Sequence, residues 1–270
     1  MRMPPVRRTL AVAASALALS ATAMTAHAQG MPLDDGALSD VWGQALLTMT
    51  NTSVNGYDFS RITLGADIDF NANFTNVQLG GYSYSARNGT GYDIDIGKLQ
   101  FGRSDGTDAQ RTVHITDPYF EFVYQNAGST DASQRNVVGM RLGFGSIQGD
   151  IGIQMNAVSG SLLINAGSSG TIDSHNDPLG GKRWDGTQCN AGATCPLALS
   201  QIGLITAGDA TGASRDFFIS VLNQAVQFPA VNGISSDTAQ PGFWLNWRDR
   251  LTAGNLNQAP PPNLPKSPGG

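Results

Sequence analysis

The sequence predicts an all-β protein of many short strands, arranged as a sandwich, a barrel-like or a solenoid-like fold, with little helix. Three observations carry that prediction. Apolar and polar residues alternate in short runs along much of the chain, the period of a half-buried strand. Glycine and Asn/Asp turn signals separate the runs. The residues that stock exposed helix faces are scarce: the 270-residue chain has one glutamate, Glu121, and three lysines, Lys98, Lys182 and Lys266, against 33 glycines.

At the N-terminus, Arg2, Arg7 and Arg8 precede an uncharged run from Thr9 to Ala26, and Ala26-His27-Ala28 supplies the small-residue pattern that signal peptidase reads. The expectation is a signal peptide over residues 1–28 and an exported protein, at the cell surface or in the periplasm. The apolar stretch Leu10–Ala21 is shorter than the ~20 residues a membrane-spanning helix needs. Cleavage removes three arginines and no acid, leaving a mature chain more negative than the −5 of the whole protein. A negative, lysine-poor chain lacks the clustered cations that bind phosphate, which argues against nucleic acid as a partner.

Residues 29–44 form an N-terminal segment, and a β-rich domain is expected over 45–254. Its first clear strand places Ile62, Leu64, Ala66, Ile68 and Phe70 on one parity, with Thr63, Asp67 and Asp69 on the polar outer face. Comparable runs follow at Val77/Leu79, Ile94/Ile96, Leu99/Phe101, Val113/Ile115, Phe120/Phe122/Tyr124, Met140/Leu142/Phe144, Ile151/Ile153/Met155 and Leu162/Ile164. Each is expected to turn its apolar residues inward. Turn signals such as Asn88-Gly89, Ser104-Asp105-Gly106 and Gly149-Asp150 lie between them. No fixed repeat period emerges.

A loop-rich insert is expected over about 168–214. It holds Cys189 and Cys195, six positions apart, which in an oxidising compartment form a local disulfide. Strand character returns with Phe217, Ile219 and Val221. Phe243, Trp244, Leu245 and Trp247, beside Arg248 and Arg250, make the densest aromatic cluster. Phe243, Trp244 and Trp247 are therefore candidates for a carbohydrate- or lipid-binding patch if exposed, and for core packing if buried. The tail over 255–270, with five prolines and two terminal glycines, buries too little to offset its ordering entropy and is expected to be disordered.

Catalytic signals are weak, and the protein is expected not to be an enzyme. His114 reads as an outward polar residue on a strand, and His175 as a solvated residue of the loop Asp173-Ser174-His175-Asn176-Asp177. With a single glutamate, paired-carboxylate chemistry would fall to aspartates, and Asp67 and Asp69 share an outer strand face, as solvation alone predicts. No nucleophile elbow, zinc-protease motif or P-loop occurs. Asp105-Gly106-Thr107-Asp108 is the best calcium candidate, but two carboxylates make a turn more readily than a site. No metal and no cofactor is expected.

The most specific segment is Leu33-Asp34-Asp35-Gly36-Ala37-Leu38-Ser39-Asp40-Val41-Trp42-Gly43-Gln44. It can form a short capped turn ended by Gly43. Through Leu33, the acidic pair beginning at Asp34, Leu38, Ser39, Val41, Gly43 and Gln44, it resembles the N-terminal segment of FilA-like pilus-system proteins. Trp42 stands where that group would have Ser or Thr. The resemblance implies a non-catalytic structural or accessory protein of a surface fibre or the cell envelope. Its partners would be other envelope or pilus proteins or further copies of itself, met through an unpaired strand edge or the N-terminal segment by β-augmentation. An outer-membrane β-barrel and a carbohydrate- or lipid-binding envelope module are the alternatives, so membrane contact stays open.

Overall fold

A computed structural model describes residues 46–84, 89–125 and 135–266. The expected signal peptide and the segment 29–44 lie outside the described residues. The all-β expectation holds. The strands are β1 (Leu47–Val54), β2 (Tyr57–Leu64), β3 (Asp67–Phe70), β4 (Ala72–Tyr84), β5 (Gly89–Phe101), β6 (Val113–Thr116), β7 (Tyr119–Gln125) and β8 (Asn136–Gly143). Then follow β9 (Ser146–Val158), β10 (Gly160–Asn165), β11 (Thr171–Asp173), β12 (Leu204–Ala207), β13 (Phe218–Leu222), β14 (Gly242–Trp247) and β15 (Leu251–Gly254).

Hydrogen bonding links them in the order β1-β2-β7-β8-β13-β14-β10-β15-β12-β9-β5-β4, with β11 on β10, and β3 and β6 joined through β9. β10 turns this single path into two layers. Its first half lies parallel to β14, and its second half pairs with β11 and β15. Gly160 makes the close approach to β14 possible, because a Cβ there would sit 2.3 Å from the Leu245 carbonyl oxygen.

The main core fills the space between the layers. Ile94 and Ile96 of β5 and Ile151, Ile153 and Met155 of β9 meet Leu245 and Trp247 of β14, with the partly buried Phe217 and Ile219 beside them. The inward parity of β5 switches from Ile94 and Ile96 to Leu99 and Phe101. The sequence reads these as two runs, but they belong to one 13-residue strand with a bulge between Asp95 and Lys98. A smaller second core lies on the other face of β13 and β14. There Phe59, Val123, Phe218, Leu222 and Trp244 are covered by Val226, Phe228 and Ala239 from an irregular strap, residues 223–241.

One sequence expectation is corrected here, and one pair of alternatives is decided by burial. The tail does not dangle over 255–266. Asn263 is buried and donates its amide to the Phe101 carbonyl, accepts from Asn71, and offers its own carbonyl to Asn73. Ser104 donates from both backbone and hydroxyl to the Pro262 carbonyl. Proline lowers the ordering cost of such an extended strip, which composition alone does not reveal. Trp244 and Trp247, moreover, are 3% and 4% exposed. They point to opposite faces of β14 and into different cores, because β14 is covered on both sides.

Candidate interaction surface

The layer β1-β2-β7-β8-β13-β14 runs out past the main core at its β1 end. At β13 its inner face carries Ile219, which belongs to the main core. The same cross-strand row continues outward, in register, as Leu142 of β8, Phe120 of β7, Ile62 of β2 and Met49 of β1. Beyond β13 nothing among the described residues covers it: Leu142 is 49% exposed, Phe120 38% and Met49 65%. Phe120 and Phe122 sit edge to face, 5.9 Å apart, on this overhang. The sequence expectation that Phe120, Phe122 and Tyr124, or Met140 and Leu142, point inward is therefore overturned for Phe120 and Leu142.

What faces inward instead is charged. On the opposite face of the overhang, Arg61, Glu121 and Arg141 stand side by side in register on β2, β7 and β8. Arg61 Nε donates to Glu121 Oε1 at 2.9 Å and Arg141 Nε to Oε2 at 2.6 Å. The Glu121 and Arg141 side chains are 3% and 0% exposed. Arg141 also donates to the Pro229 carbonyl of the strap and lies over the rings of Phe228 and Phe218, 4.3 and 5.0 Å from their centroids. Burial pushes the Arg141 pKa down, against the opposing pull of Tyr119 and Glu121, and pushes that of Tyr119 up. The row fixes the three strands to one another and to the strap, so the overhang is held as a sheet while its apolar face stays bare.

β1 ends the sheet. All eight of its residues are exposed, and its sequence LTMTNTSV contains no charge and no proline. These are among the devices by which sheet edges usually block pairing with other chains. Its one strand neighbour among the described residues is β2, joined by a two-residue turn at Asn55 and Gly56, whose φ of 52° and 82° suit a type I′ hairpin. Sequence reasoning missed β1 because Thr48, Thr50 and Thr52 blur the alternation. The Asn-Gly pair after a run of β-branched threonines was the available signal.

The remaining candidates are scattered. Trp247 donates from Nε1 to Ser214 Oγ at 3.0 Å and packs edge-on against Phe217. Phe243 is only partly exposed and lies against the main core, so the three aromatics form no shared surface. Cys189 and Cys195 are bonded, as expected, with Cα atoms 5.7 Å apart. Asp105 is taken by the Arg103 guanidinium, and Asp108 faces Arg111 and Lys266. Hydrogen bonding and the charge of Arg103 outweigh burial and hold the Asp105 carboxyl below its usual range. These carboxylates are matched to cations of the chain itself. His114 is exposed beside Asp69 (3.1 Å) and Asp67 (3.9 Å).

His175 has a partner that the sequence reading missed. Its Nε2 lies 2.5 Å from Asp237 Oδ2 of the strap, and the Ser161 hydroxyl donates to the same oxygen. Arg248 Nη1 donates to Asp173 Oδ1 at 2.9 Å and to the Leu162 carbonyl at 3.0 Å. Burial raises the Asp237 carboxyl, but hydrogen bonds from Ser161 and His175 and the charges of His175 and Arg248 outweigh it, so its pKa is lowered. Asp173 is lowered likewise, by Arg248 and the His175 backbone against burial. The carboxylate stands between serine and imidazole, so the imidazole is not placed to take the serine proton. The cluster latches the strap to β10 and β11.

The N-terminal residues Leu33, Asp34, Leu38, Ser39, Val41, Gly43 and Gln44 lie outside the described residues. No protein-family model, no curated protein and no solved structure matches this chain.

Proposed function

We propose that this is an exported, non-catalytic structural or accessory protein of a bacterial surface fibre or the cell envelope, which joins its partner by strand addition at β1. The observation that carries the proposal is the apolar row Met49–Ile62–Phe120–Leu142, exposed at Met49, Phe120 and Leu142 and half-buried at Ile62, beside a charge-free edge strand. A second chain laid along β1 would satisfy the open edge and extend that row. Another copy of this chain, or another envelope or pilus protein, would fit. The N-terminal resemblance to FilA-like proteins and the signal-peptide pattern support the same reading.

Two alternatives draw less support. The candidate binding aromatics Trp244 and Trp247 are buried. A membrane barrel closes its strands into a ring, whereas among the described residues the strand path runs between ends at β1 and β4 and includes parallel neighbours. Among the described residues no helix is long and apolar enough to cross a membrane. The test is protease shaving and shearing of intact cells that express a C-terminally tagged chain. Release of the tagged protein in sheared material is expected; complete protection inside the periplasm would sink the fibre reading.

A further inference from the structure

The hydrogen-bonded strand path has two ends, and β1 is one of them. The other is β4, which among the described residues pairs with β5 alone. Its 13 residues, ANFTNVQLGGYSY, contain no charge and no proline, and neither does β1. The strands just inside the two ends are charged: β2 carries Asp58 and Arg61, and β5 carries Asp93, Asp95 and Lys98. Charge therefore stops one strand short of both edges, where it would do most to block pairing with another chain.

Both edges also offer open backbone. Gly65 donates to the Leu46 carbonyl, so by alternation Met49 and Asn51 turn their N–H and C=O groups away from β2. At β5, Gly102 donates to the Asp150 carbonyl, while Ile153 of β9 donates to Gly203. Lys98 therefore bonds toward β9, and its β4 partner Thr75 turns its N–H outward. The Asp93 carbonyl accepts from Ser159 in the same direction, so Asp95 also bonds toward β9 and its partner Gln78 points outward. The exposed side chains match in kind. Thr50 and Asn51 on β1, and Thr75 and Gln78 on β4, are uncharged polar residues able to hydrogen-bond across a strand pair. Each edge adds an exposed apolar residue, Met49 at 65% and Phe74 at 44%.

We propose that β1 of one copy pairs with β4 of the next, an inference that rests on the strand-addition reading above and names its partner. Pairing β1 with β1 would leave β4 open in every copy, whereas pairing with β4 uses both edges of each copy. The two surfaces differ, so copies add head to tail rather than stopping at a two-fold dimer.

The experiment is sedimentation velocity of the mature chain beside variants closed at one edge. Asn51→Pro closes β1, and Gln78→Pro or Thr75→Pro closes β4, each used where its near-UV circular dichroism matches the parent. The parent should form species beyond the dimer as concentration rises, and each closed variant alone should associate at least tenfold more weakly. A β1-closed variant mixed with a β4-closed one should give a dimer and nothing larger, because one open edge of each kind remains. A second readout leaves both backbones intact: a benzophenone side chain at position 50 should crosslink to residues 72–84 of another copy. Association of the β4-closed variants as tight as the parent's, while Asn51→Pro loses it, would leave strand addition at β1 standing and overturn β4 as its partner. A parent that stops at the dimer, a mixture that stays monomeric, or crosslinks confined to β1 would do the same. A parent that stays monomeric would overturn both.

Discussion

Replacing Glu121 by glutamine tests whether the buried ionic row holds the overhang together. The carboxylate accepts from two guanidinium groups, Arg61 at 2.9 Å and Arg141 at 2.6 Å. Glutamine keeps the volume but offers one carbonyl oxygen and turns an amide donor toward the other arginine. Arg61 can relax toward water, since it is partly exposed and stacked on Tyr119. Arg141 cannot, being fully buried. Breaking a buried pair by removing one partner costs about 3–5 kcal/mol. For a domain of this size that is roughly 6–20 °C in Tm. The assay is urea unfolding of the mature chain, with an unchanged slope and a lower midpoint expected. The double variant Glu121→Leu/Arg141→Met removes both charges and should recover most of the loss. A loss below about 1 kcal/mol in the single variant, or a double variant no better than it, would refute the reasoning.

Two further outcomes follow from the strap and the insert. Asp173 and Asp237 have folded pKa values below their ordinary value of 3.8. Their contribution is therefore complete above that value and is lost as pH falls through the lower, folded values. Asp216 works in the opposite direction: burial raises its pKa, so acid relieves a cost there. Stability of Asp237→Asn measured from pH 2 to 6 should fall below that of the parent above about pH 4, and the two curves should converge in stronger acid; parallel curves would contradict the latch. Replacing Cys189 and Cys195 by serine should cost ~2 kcal/mol, from the short loop they close, read as a shift in denaturation midpoint that reductant reproduces in the parent.

The class of the fold was legible because most strands alternate, and the disulfide because its residues lie close in sequence. The overhang was not, since alternation gives two faces without saying which is inward. In Tyr119-Phe120-Glu121-Phe122-Val123 both even positions are phenylalanine and the odd ones are interrupted by a glutamate, yet Tyr119, Glu121 and Val123 are the buried ones. The isolation of Glu121 as the chain's one glutamate was the hint that it answers to specific partners, but those lie on other strands. The aromatic cluster left two readings open for a related reason. A strand covered on both faces reads as a nearly continuous apolar run, and Phe243 to Trp247, broken by Asn246 alone, is such a run. His175 and Asp237 are 62 positions apart, beyond anything local spacing discloses. The segment 29–44, which carries the resemblance, is outside the described residues and gains nothing from the fold.

Strand addition at β1 is tested most directly by sedimentation velocity of the mature chain over a hundredfold range of concentration, beside Asn51→Pro. Asn51 stands opposite Ser60 between two hydrogen-bonded pairs, so its N–H faces the open edge and proline there removes an outward donor. Concentration-dependent association of the parent, lost in an Asn51→Pro variant that keeps its near-UV circular dichroism, is the predicted result. A parent that stays monomeric at the highest concentration, or an Asn51→Pro variant that associates equally well, would contradict the account.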